Sequence, residues 1–134
     1  MSKERTYVML KPDALQRGLV GEILGRIEAK GYHLVQAKTM MLDEPILREH
    51  YAHIADKPFF PETVAYMTSG PVLAMIWEGE NAIAGISQLM GATKFEQAQA
   101  GTIRGVLASS TTYNLIHGSD GPETAEIEIK RFFG

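Results

Sequence analysis

An α+β sandwich, with helices packed on a four-stranded antiparallel sheet, is the fold class this sequence predicts. Three observations point to it. Short apolar runs with strand-like patterning alternate with runs at helical spacing. Proline- and glycine-centred breaks separate those runs, with no repeat, low-complexity segment or linker between them. The 134 residues, 45% of them hydrophobic, suffice for one compact domain, residues 1–134, with a real core.

Thr6 to Lys11 reads as a buried strand that ends at Lys11-Pro12-Asp13, because proline cannot donate a further ladder bond. Gly21 to Lys30 sets Ile23, Leu24 and Ile27 at helical spacing and closes at Gly31. His33 to Met41 alternates as a second strand. Glu44 to Ile54 is expected to be a helix entered through Asp43 as N-cap, with Pro45 in its first turn. Pro58-Phe59-Phe60-Pro61 makes a rigid aromatic corner, and a short helix follows through Met67. Pro71 to Trp77 is a third strand, and Ala82 to Met90 a helix. From Gly91 to about Tyr113 small and polar residues are more frequent, and a loop is expected. Leu115 to His117 forms a short last strand, and Thr124 to Phe133 a final helix. The order βαββαβ with extra helices is that of a ferredoxin-like sandwich.

Composition narrows the function classes. There are no cysteines, so neither a disulfide scaffold nor a thiolate metal site is available. A net charge of −3 argues against a dedicated nucleic-acid binder, whose affinity needs clustered cations. The start, Met1-Ser2-Lys3-Glu4-Arg5, is charged and leads into only a short apolar stretch, which builds neither a signal peptide nor a membrane span. A soluble, cytoplasmic protein is expected.

The most informative segment is Asn114-Leu115-Ile116-His117-Gly118-Ser119-Asp120-Gly121. It puts a histidine where a short apolar run gives way to small, turn-forming, hydroxyl- and carboxylate-bearing residues. One ring nitrogen there can face a cleft while the other is tethered by a neighbouring carboxylate or hydroxyl. An imidazole held in that way is a competent nucleophile, although a histidine merely capping a strand end has the same local sequence. Glu123, Glu126 and Glu128 all lie in or near the last helix, and composition does not choose among them. His33, His50 and His53 have no comparable context and read as surface or packing residues.

Nine short segments, in order and at near-constant spacing, now carry a resemblance. They are Glu4-Arg5-Thr6, Lys11-Pro12-Asp13, Arg17 to Gly21, Lys57 to Phe60, Met67 to Pro71, Glu78 to Ala82, Met90 to Thr93, Gly101 to Gly105, and the His117 segment. Over essentially its whole length the chain resembles the nucleoside diphosphate kinases. The resemblance implies a ping-pong phosphoryl transfer from nucleoside triphosphate to nucleoside diphosphate through a phosphohistidine at His117. It selects Glu128, supported by Ser119, as the carboxylate that orients the histidine. Lys11, Tyr51, Thr93, Arg104 and Asn114 match the family's phosphate and nucleotide contacts, and Phe59 matches the aromatic on which the base stacks. Phosphoryl transfer needs such cations and donors, because the protein has little covalent chemistry of its own to do. Stacking is indifferent to base identity, so broad nucleotide use is implied. Mg²⁺ is expected with the nucleotide phosphates, Asp120 being the nearest carboxylate, and homo-oligomers are implied.

The departures are equally specific. Ser87 stands where the family carries a phosphate-binding arginine, and serine cannot make the bidentate guanidinium contact. Val106 and Leu107 replace an aspartate and an aromatic, Lys94-Phe95 replaces Asn-Pro, and Thr63 and Thr111 replace apolar residues flanking the base. They motivate a second expectation, a degenerate relative that binds nucleotide or a protein partner with weak turnover. An RNA-binding domain, which the same fold class can support, lacks the paired sheet aromatics in a basic setting.

Overall fold

The computed structural model describes residues 3–110 and 113–134. Four strands, β1 (Glu4–Leu10), β2 (His33–Met40), β3 (Val72–Gly79) and β4 (Ile116–Gly118), form one antiparallel sheet in the order β2-β3-β1-β4. Among the described residues seven α-helices join them: α1 (Pro12–Gln16), α2 (Val20–Ala29), α3 (Glu44–His50), α4 (Phe60–Met67), α5 (Ala82–Met90), α6 (Ile103–Leu107) and α7 (Pro122–Phe133). The expected α+β architecture is the one observed.

β1 is central, flanked by β3 from Glu4↔Gly79 to Leu10↔Leu73 and by β4 from Val8↔Gly118 to Leu10↔Ile116. Its residues from Thr6 to Leu10 are buried on both faces, which is why the sequence there is apolar without alternation. Val8 and Leu10 pack with Ile23 and Ile27 of α2 and Ile86 of α5. Tyr7 and Met9 pack on the opposite face with Leu47 of α3, Phe60 and Met67 of α4 and Phe132 of α7. Each large apolar side chain so enclosed contributes roughly 1.5–3 kcal/mol. Met9 is the register partner of His117, so His117 projects onto the face covered by α3 and α7.

Several elements differ from expectation, each for a local reason. The strand ends before Pro12 as read, but Pro12 then starts a helix, α1, that the sequence reading did not include; proline's fixed φ suits a helix's first residue. The stretch 91–113 holds α6 and a short 3₁₀ turn at Phe95–Gln97. The helix expected over 44–54 breaks at Tyr51 (φ −107°, ψ 35°), and Ala52–Ile54 continues as 3₁₀. Asp43 is the expected N-cap, accepting the Ile46 amide at 3.1 Å. Gly91 has φ +87°, and a Cβ there would come within 2.4 Å of Thr102 Oγ1, so only glycine lets α5 end against α6. Leu115, fully buried, takes φ +75°, a left-handed conformation costing about 1–2 kcal/mol. Its carbonyl accepts the Lys11 amide at 2.8 Å, which couples the start of β4 to the end of β1.

β2 is an edge strand, exposed along nearly its whole length, with Leu34 and Val35 at 39%. Among the described residues no helix is long and apolar enough to cross a membrane.

Candidate active site

β4 and α7 build the centre of the site. His117 Nε2 lies 3.0 Å from both carboxylate oxygens of Glu128. A carboxylate only accepts, so Nε2 carries the proton and Nδ1 keeps its lone pair. Nδ1 makes no hydrogen bond among the described residues, and His117 lines a cleft of about 730 Å³. Ser119 Oγ donates to Glu128 Oε1 at 2.6 Å, the shortest bond in the group. Burial by itself would raise the Glu128 pKa, but the hydrogen bonds from His117 and Ser119 outweigh it and hold the carboxyl below its ordinary value.

The choice among the three glutamates is a matter of helical phase. Ala125, Glu128 and Phe132 form the buried stripe of α7, whereas Glu123 and Glu126 face outward. That i, i+3, i+7 spacing was the available signal.

The cleft's cations are restrained. Lys11 Nζ donates to Asn114 Oδ1 at 2.7 Å. Burial, then the nearby Arg104 charge, lowers the Lys11 pKa to about 7. Arg104 is buried and donates Nη1 to Gly91 O (2.8 Å), Nε to Asn114 O (3.4 Å) and Nη2 to Ile116 O. Three of its five N–H groups therefore brace the loop before His117, leaving two for a ligand. Tyr51 lines the cleft with its pKa raised, first by burial and then by Glu128, so its hydroxyl stays a neutral donor.

Ser87, Thr93, Asn114 and Asp120 line the same cleft. Phe59 does not: it stands 51% exposed, so it is no core residue, while Phe60 fills that role at 2%. Thr111, one of the two replacements expected beside the base, lies outside the described residues.

Two residues were missed as parts of the site. His50, read as surface or packing, ends α3 with its ring centroid 4.7 Å from that of His117. Arg131 of α7 donates to His50 Nδ1 at 3.0 Å. Asp13 was also unassigned: buried, it accepts the Tyr66 hydroxyl and ties α1 to α4. His50, His117 and Glu128 bring three ligand atoms within 4.8 Å of one another, yet Arg131 already occupies the His50 lone pair nearest Glu128. With Glu128 committed, Asp120 is the exposed cleft carboxylate left for a cation, which fits an ion carried in on phosphates better than a resident one.

Fold and site together define a phosphate-handling class of protein, an imidazole with one nitrogen held and one bare standing among cations and neutral donors. The family model of nucleoside diphosphate kinase matches residues 4–134. The chain is 53% identical over 131 residues to the nucleoside diphosphate kinase of Symbiobacterium thermophilum, spanning 98% of this chain and 87% of the relative. Among solved structures, apo nucleoside diphosphate kinase from Encephalitozoon cuniculi superposes with a TM-score of 0.95 at 46% identity, covering 98% of this chain and 89% of that one. The halophilic enzyme of Halobacterium salinarum, solved in complex with CDP, gives 0.94 at 51% identity over 98% and 88% of the two chains. This chain belongs to the nucleoside diphosphate kinase family. Its activity is phosphoryl transfer between nucleoside triphosphates and diphosphates.

The lowered Lys11 pKa gives a measurable consequence. A phosphate bound beside Lys11 favours the charged lysine, so if nucleotide docks there its binding draws a proton onto a side chain whose pKa is lowered to about 7. Calorimetric titration with ADP at pH 8, in two buffers of different ionisation enthalpy, should show uptake of roughly half a proton or more. Lys11→Met, besides binding more weakly, should show none. A wild-type protein without uptake would mean that Lys11 is already charged in the free enzyme.

Proposed function

We propose that His117 carries the phosphoryl group between donor and acceptor nucleotides. The observation that supports this best is the asymmetric imidazole, with Nε2 gripped by Glu128 and the Nδ1 lone pair left for the cleft. In the first half-reaction Nδ1 attacks the γ-phosphorus in line; the bond to the β,γ-bridging oxygen breaks and the diphosphate leaves with that oxygen. The Nε2 proton stays in place, and Glu128 offsets the positive charge developing on the ring. A second diphosphate then takes the phosphoryl group by the reverse path.

The other cleft residues supply positioning and charge. Lys11, the two remaining N–H groups of Arg104, the Tyr51 hydroxyl, Thr93 and the Asn114 amide surround the phosphates. The exposed ring of Phe59 offers a face for any base. Mg²⁺ would neutralise phosphate charge, with Asp120 as the residue that holds it. We further propose a cytoplasmic homo-oligomer built from the single domain 1–134. The exposed β2 edge, carrying Leu34 and Val35, supports self-association.

Ser87 favours a slower version of the same reaction. It ends in the last turn of α5 at the cleft wall, and Lys94, the nearest plausible substitute cation in sequence, is exposed and absent from the lining.

Incubation of wild-type protein with γ-labelled ATP should leave an acid-labile label, and His117→Ala should abolish both label and nucleotide exchange with an unchanged circular dichroism spectrum. A variant still labelled on histidine would assign the wrong nucleophile. Ser87→Arg should raise kcat/KM for nucleoside diphosphates by about tenfold, the worth of one charge-assisted hydrogen bond of ~1.5–3 kcal/mol partly realised. The gain should shrink at high ionic strength; flat activity would mean the phosphate site is complete without an arginine at this position.

A further inference from the structure

A second imidazole stands behind the first, and the transfer just described makes no use of it. The His50 side chain is 1% exposed, and its ring meets that of His117 at 79°. Its Nδ1 lies 3.0 Å from Arg131 Nη1 and 3.6 Å from Glu128 Oε2. A guanidinium can only donate, so Nδ1 accepts and the His50 proton sits on Nε2. That Nε2 has no hydrogen-bond partner among the described residues, and the rings of Tyr51, Phe132 and His117 pack edge-on against the imidazole. Arg131 is held in turn by Glu49, Nε to Oε1 at 3.2 Å, with its own side chain 12% exposed.

We propose that Arg131 is a positioning residue that locks His50 in its neutral Nε2–H form and thereby reserves Glu128 for His117. This rests on His117 being the phosphoryl carrier. The competition it prevents is geometric. A proton on His50 Nδ1 would turn that atom into a donor facing Glu128 Oε2, one of the two oxygens that hold His117 Nε2. The carboxylate would then be shared between two imidazoles, and His117 would lose the symmetric grip that aims Nδ1 at the cleft. A charged side chain that only donates closes this route, and arginine keeps its charge in a buried setting more reliably than lysine does.

The charges facing His50 come from four directions: His117 on β4, Glu128 and Arg131 on α7, Lys11 after β1, and Glu49 and Tyr51 at the end of α3. Burial first, then the neighbouring His117, hold the imidazole pKa down to about 3, with Arg131 and Lys11 adding to the effect and Glu128 opposing it. Removing Arg131 withdraws a cation and frees the lone pair, while Glu128 remains to stabilise a proton there. His50 should then titrate at a higher pH.

The experiment uses the full-length protein labelled with ¹⁵N-histidine. Imidazole nitrogen shifts at pH 7 should show wild-type His50 protonated on Nε2. In Arg131→Met the His50 proton should move to Nδ1 or the ring should become cationic. The acid limb of kcat/KM should move up by about one pH unit or more, and Arg131→Lys should restore part of it. A wild-type His50 protonated on Nδ1 overturns the proposal, as does an Arg131→Met variant whose activity falls equally at every pH with an unchanged His50 tautomer. The wild-type tautomer needs no variant to fold, and it is read independently of which residue carries the phosphoryl group.

Discussion

Glu128 grips His117 Nε2 with both of its oxygens, and Ser119 steadies the carboxylate through one of them. A nucleophilic imidazole needs one nitrogen protonated and held, the other bare and aimed. Glu128 does the holding because α7 turns its buried stripe toward the sheet face on which His117 projects. That face is in turn set by the pairing of Met9 with His117 across the β1–β4 ladder. A slip of one residue in this register would send His117 to the opposite face, among the side chains packed on α2 and α5. Leu115, in its left-handed conformation, and the Arg104 bonds to Gly91, Asn114 and Ile116 fix the register from the loop side.

Lys11 and Arg104 are the cations on which the proposed phosphate contacts depend. Both are pulled away from water, and burial holds the pKa of each below its ordinary value. A cation so placed is costly while the cleft is empty and strongly rewarded when an anion arrives. The cleft therefore stores part of its binding energy as unfavourable desolvation in the free protein. Ser87 brings a neutral hydroxyl, not a cation, to the same cleft wall, and the slower turnover proposed for this chain follows from that difference.

Legibility in the sequence followed the range of the interactions involved. β1 was readable because a strand buried on both faces is apolar throughout, and α2 because its stripe repeats over ten residues. α1 and α6, at five residues each, span little more than one helical turn, so the period does not repeat often enough to be read. His117 was visible because its context is local: a strand end followed by small polar residues. Glu128 needed either the family resemblance or the phase of α7, and the phase was available in Ala125 and Phe132. His50 could not be recognised, since α3 and α7 lie far apart in the chain and only folding brings Glu49, His50 and Arg131 together. Position 51 mixed both cases: its helix was foreseen, but the break that turns Tyr51 into the cleft was not.

The proposed chemistry depends on which nitrogen of His117 is bare. Protein phosphorylated by nucleoside triphosphate and labelled with ¹⁵N-histidine allows a direct reading, because phosphorus–nitrogen coupling identifies the bonded atom. The arrangement around Glu128 predicts a phosphoryl group on Nδ1 of His117, with Nε2 still protonated and hydrogen-bonded to the carboxylate. A phosphoryl group on Nε2, or on any residue other than His117, would contradict it.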